Sequence, residues 1–146
     1  MTRVGVILVL ALSACATEQS SELGIFTVAV VGREVFVGRS RTYGTSGNFR
    51  MQSLAEDPIQ CRGQFRYLAP PQGRASFSCS NGESGSLKIR AEGNYIGSGE
   101  GTSSMGPVRL LFGYSLWKVN HRIMPAGKKL VATDEGIELV DVESAK

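Results

Sequence analysis

Apolar and polar residues alternate with a period of two along most of the chain, the signature of strands that bury one face. The alternation is strictest in Ile59–Tyr67. There Ile59, Cys61, Gly63, Phe65 and Tyr67 share one face, and Gln60, Arg62, Gln64 and Arg66 share the other. Beyond a Pro70-Pro71-Gln72-Gly73 turn, Ala75, Phe77 and Cys79 alternate with Arg74, Ser76 and Ser78 in the same way. A single antiparallel register sets Cys61 opposite Cys79, Gly63 opposite Phe77 and Phe65 opposite Ala75. It aligns both apolar faces and predicts a disulfide between Cys61 and Cys79; the competing reading is a pair of inert buried thiols. Closing a loop of this length stabilises a fold by about 3 kcal/mol on the chain-entropy account.

The remaining segments follow the same rule. Ile25–Val31 and Glu34–Gly38 flank Gly32-Arg33, a two-residue hairpin loop, and Phe49, Met51 and Ser53 mark a weaker strand that ends at Glu56-Asp57-Pro58. Ser80-Asn81-Gly82-Glu83 is a tight turn, because Asn-Gly readily supplies positive φ. Leu87, Ile89 and Ala91 alternate with Lys88 and Arg90. Gly93–Gly101 reads as glycine needed for turns or a barrel corner. Val108–Tyr114 and Leu116–Ile123 read as buried strands, and Lys129–Ala132 with Ile137–Val142 as a terminal hairpin. No window shows an apolar stripe at helical spacing. Eighteen glycines and turns every eight to twelve residues indicate an all-β fold, namely an antiparallel meander, small barrel or sandwich stapled by one disulfide.

The N-terminus departs from this pattern. Arg3 precedes an apolar run, Val4–Leu12, that is far too short to span a bilayer, which takes about 20 residues. The Leu12-Ser13-Ala14-Cys15 that follows resembles the lipobox of bacterial lipoprotein precursors. The resemblance implies a signal peptide over residues 1–14, cleavage after Ala14, and a diacylglyceryl thioether on Cys15 with an acylated N-terminus such as palmitate supplies. An ordinary secretory signal is the alternative. Residues 15–24 then form the lipidated N-terminus and a polar tether, and residues 25–143 a single β domain. Ala16 stands where inner-membrane retention in enterobacterial lipoproteins calls for Asp, so the resemblance points to the outer membrane, facing the periplasm. The odd cysteine count agrees: with Cys15 assigned to lipid, Cys61 and Cys79 remain to pair in an oxidising compartment.

Cys61–Gly113 is also similar to small proteobacterial lipoproteins that carry a Cys-Ser-Asp-Gly-Arg-x-Gly turn, a Gly-x-Gly-x-Gly stretch and a terminal Phe-Gly. Here Asn81 replaces the Asp and Glu83 the Arg. This resemblance implies a β-rich fold rather than an activity.

Charge narrows the functional classes. The net charge is +3, and its distribution is uneven: Gly24 to Arg122 holds 12 basic and 6 acidic residues, Ile123 to Lys146 only 3 and 5. Arg62, Arg66 and Arg74 face outward on the central hairpin, and Lys88 and Arg90 extend the set if the next strand pairs beside it. Such a face suits anionic headgroups, lipopolysaccharide phosphates or an acidic protein or glycan partner, and equally a solvated sheet. Nucleic acid is not expected in the inferred compartment. His121 is the sole histidine, and no serine stands in a Gly-x-Ser-x-Gly elbow, so no catalytic site is assigned; a hydrolase with His121 as base is a minor alternative. Zinc lacks a ligand set. Asp134, Glu135, Glu138 and Asp141 do not fit the calcium-loop pattern, and Gly93–Gly101 lacks the Lys-Ser/Thr of a phosphate loop. No metal or cofactor is expected. The reading is a membrane-anchored envelope lipoprotein with a non-catalytic β domain; the alternative is a periplasmic inhibitor of a lysozyme-like hydrolase, by analogy of architecture alone.

Overall fold

The computed structural model describes residues 24–142; the signal segment, Cys15, most of the tether and residues 143–146 lie outside the described residues. Eight strands follow one another around a closed antiparallel barrel: β1 (Ile25–Val31), β2 (Glu34–Tyr43), β3 (Ser46–Ser53), β4 (Gln60–Ala69), β5 (Gln72–Cys79), β6 (Ser84–Gly93), β7 (Ile96–Ser103) and β8 (Gly106–Phe112). β8 closes on β1 with Val28 opposite Leu111 and Val30 opposite Arg109. A short helix, α1 (Leu116–Arg122), and a separate hairpin, β9 (Lys128–Thr133) with β10 (Gly136–Asp141), complete the chain. Of the architectures compatible with the sequence, the closed barrel is the one adopted, and it leaves no unpaired edge.

The register expected for the central hairpin is the register found: Cys61 pairs with Cys79, Gly63 with Phe77 and Phe65 with Ala75. Cys61 and Cys79 form a disulfide, their Cα atoms 4.0 Å apart. Cys61 is buried inside the barrel, so the bond staples β4 to β5 from within.

The interior is packed by a recurrent device. Gly47 lies opposite Phe65, Gly63 opposite Phe77 and beside Phe49, Gly85 opposite Phe77, and Gly97 opposite Phe112. A Cβ at Gly63 would meet the Phe49 ring at 2.1 Å, and one at Gly97 the Phe112 ring at 2.2 Å. Each glycine gives the space that a neighbouring ring fills, which is how a narrow barrel accommodates large aromatics. This corrects the reading of Gly93–Gly101. It is mainly strand β7, in which the Phe112 ring of β8 covers Gly97, the Ile89 and Leu87 side chains of β6 approach Gly99, and the β6 backbone at Ser86 approaches Gly101.

A second apolar cluster lies outside the barrel. Val28, Val30, Val35 and Leu111 face outward from β1, β2 and β8, and Val119, Ile123 and Leu130 cover them. β1 is therefore buried on both faces, which explains why six of its seven residues are apolar. The expected strand at Leu116–Ile123 is instead helix α1. Leu116, Val119 and Ile123 recur at i, i+3 and i+7, an apolar stripe at helical spacing confined to two turns. Asn120 fastens this cover: its Nδ2 donates to the Leu130 carbonyl at 2.9 Å, and its Oδ1 accepts from the Leu130 N–H at 2.7 Å.

Candidate functional site: the uncovered barrel wall

The lumen is full. An interior void lined by Phe49, Phe65, Tyr67, Ile89, Leu110 and Phe112 among others has about 20 Å³ of free volume. That is room for about one water, against the several hundred Å³ that a small-molecule pocket requires. The outer surface is equally decisive about membranes. A spanning barrel presents an apolar band to lipid, whereas here β3–β6 present Arg50, Arg62, Arg66, Arg74, Lys88 and Arg90.

The strand register orders those cations. Arg39, Arg50 and Arg62 are direct cross-strand partners on β2, β3 and β4. Arg66, Arg74 and Lys88 are direct partners on β4, β5 and β6. Neighbours within each ladder are about 5 Å apart along the hydrogen-bonding direction, and the two ladders are about 13 Å apart along β4. Like charges directly opposite one another destabilise a sheet. Among the described residues, none of these six is in an ion pair.

Between the ladders runs a row of uncharged polar residues, Asn48, Gln64, Ser76, Ser86 and Thr102, paired in that order from β3 to β7. They form the floor of a shallow open trough with Arg66, Arg74 and Lys88 along one side, while Arg50 and Arg62 line the continuing depression on the other. The trough ends at Glu100, the cross-strand neighbour of Lys88. Arg62, Arg66, Arg74, Lys88 and Arg90, singled out in the sequence, thus stand on one wall, with Arg90 one row beyond the second ladder. Arg39 and Arg50 were missed. Their outward positions on β2 and β3 alternate correctly, but only the observed pairing joins them to Arg62.

The other candidates are dispersed. His121 is exposed; its Nδ1 donates to the Trp117 carbonyl at 2.7 Å, and its ring rests 4.4 Å from the Trp117 ring. Among the described residues no three of His, Cys, Asp and Glu gather to hold a metal. In the terminal hairpin, Lys128 pairs with Asp141 and Thr133 donates to Glu138.

The most perturbed ionisable group is Glu92, at the end of β6. Arg122 donates to it at 3.1 and 3.4 Å, Tyr114 donates through its hydroxyl, and Ser98 donates at 2.8 Å. These donors, Arg122 foremost, lower its pKa from 4.5 to about 2. The Arg122 guanidinium also lies 5.0 Å over the Tyr114 ring. Glu92 therefore ties α1 to the barrel.

No family model matches the chain, and no curated protein matches it. Among solved structures, the chain is similar to a de novo designed fluorescence-activating β-barrel, at 16% identity and a TM-score of 0.48, over 60% of this chain and 87% of that one.

Proposed function

We propose that this protein is a lipid-anchored envelope component, held by acyl chains on Cys15 in the outer membrane and facing the periplasm. Its barrel is a non-catalytic scaffold that binds an acidic protein or glycan through the wall of β2–β6. One observation carries the reading: two ladders of three directly opposed cations, none of them in an ion pair among the described residues and with Glu100 beside Lys88 as the carboxylate at the trough's end, flank a trough of amides and hydroxyls. A fold gains nothing from such an arrangement, and a partner bearing carboxylates or phosphates along its length relieves it. The full lumen supports recognition by the outer surface. The internal disulfide suits an oxidising compartment and stiffens the two strands that carry half of the ladder cations. Chemical crosslinking in intact cells, read by mass spectrometry, tests this function. The wild type should capture an acidic envelope partner that an Arg62→Ser/Arg74→Ser variant loses at equal abundance. An identical crosslink profile in the two would refute it.

A further inference from the structure

The two ends of the barrel differ in chemistry. One end carries the turns β1–β2, β3–β4, β5–β6 and β7–β8, where Arg33, Glu34, Glu56, Asp57, Asn81 and Glu83 face solvent or line the turns. This end is polar and mainly acidic. At the opposite end the β2–β3, β4–β5 and β6–β7 hairpins each present one large apolar side chain: Tyr43 is 59% exposed, Leu68 65% and Tyr95 70%. The β4–β5 tip is apolar throughout, since Leu68, Ala69, Pro70 and Pro71 are all exposed. α1 begins at this end, three residues after β8, and its Trp117 is 62% exposed. Four of the five large exposed apolar side chains among the described residues thus belong to one rim.

Tyr95 is informative because of its backbone. It has φ of 59°, a left-handed conformation in which a side chain costs free energy, while Gly44 holds φ of 63° in the β2–β3 turn of the same rim. A tyrosine so exposed in that position adds little packing to the fold. Its ring serves the rim instead.

The rim is also basic. Arg90 lies five residues before Tyr95, and Lys118 is next to Trp117 with its Nζ 5.9 Å from the indole centroid. The chain enters the barrel here as well, at Gly24, with only Ala16–Leu23 between it and Cys15.

We infer that this rim is a membrane-seating surface: Tyr43, Leu68, Tyr95 and Trp117 enter the headgroup region of a phospholipid bilayer, and Arg90 and Lys118 meet its anionic lipids. Amphipathic aromatics favour that depth, and basic groups beside them gain from negative surface potential. The acidic far end then points away from the membrane, and the basic wall stands perpendicular to it, open to partners. The inference adds an orientation to the anchor proposed above and rests on that reading only for the tether.

Trp117 is the sole tryptophan, so the full-length protein reports its own seating. On vesicles of phosphatidylcholine and phosphatidylglycerol, Trp117 emission should shift to the blue and be quenched by brominated acyl chains, more than on phosphatidylcholine alone. Leu68→Ser with Tyr95→Asn, a pair that removes no buried contact and relieves the Tyr95 backbone, should lower the ratio of seated to unseated protein by about tenfold. Unshifted emission from vesicle-bound protein, or quenching that this variant leaves unchanged, overturns the inference. The mass of the N-terminal peptide reports acylation separately. Acylated protein with unquenched Trp117 defeats the rim and leaves the anchor; quenched Trp117 without acylation does the reverse.

Discussion

The barrel has two outer walls, and they are finished differently. The wall of β1, β2 and β8 is apolar and is completed by the chain itself, with Val119, Ile123 and Leu130 laid over Val28, Val30 and Leu111. The wall of β3–β6 is cationic and polar, and nothing in the described residues covers it. Each is secured from the opposite side. α1 and the β9–β10 hairpin hold the first from outside, whereas the Cys61–Cys79 bond holds the second from inside. A wall that packs against its own chain is optimised for stability. One that tolerates opposed arginines is the wall we propose as an interface.

Several perturbations would sharpen or break this contrast. Leu130 is buried at 2% exposure beneath the cover, and Leu130→Ala should destabilise the protein by about 3 to 4 kcal/mol, read from chemical denaturation. Loss of so much would show that the cover is integral to the fold; a change below about 1 kcal/mol would make it a loose appendage. Breaking the staple with Cys61→Ser/Cys79→Ser should cost about 3 kcal/mol, with the β4–β5 amides losing most hydrogen-exchange protection.

Acid should loosen the covered side. Glu92 titrates below its ordinary value, so its bond to Arg122 contributes stability above pH 4.5 that is lost as pH falls toward about 2. Trp117 fluorescence should report loosening of α1 over that window, and Glu92→Gln should remove the dependence. A wild-type profile retained in that variant would place the titration elsewhere. The smallest effect has the opposite sign: Arg74→Thr, between Arg66 and Lys88, should stabilise by about 0.5 kcal/mol at low salt and by less at high salt. Destabilisation would mean that the ladder contributes to folding.

Legibility in the sequence followed the range of the interactions. The β4–β5 register was readable because both apolar faces and both cysteines agree across one turn. Most strands were readable from local alternation. α1 was not, since an apolar stripe of two turns without a side-chain cap resembles a strand of the same length. β7 was hidden for another reason: Gly97 has no apolar side chain to alternate, and the ring that fills its place is Phe112 on β8. Half of the basic wall was visible on one hairpin. The ladders required the pairing of β3 with β4 and of β5 with β6, and the rim required closure of β8 on β1, which sets β1 and α1 beside the same three hairpins.

The central claim is that the uncovered wall is an interface. A photo-crosslinking residue in place of Ser76, on the trough floor, tests it most directly against the same residue in place of Ala132, exposed on β9. In living cells the Ser76 position should give a discrete adduct that vanishes in the Arg62→Ser/Arg74→Ser background, while Ala132 gives none. Equal labelling at the two positions, or a Ser76 adduct indifferent to the arginines, would contradict it.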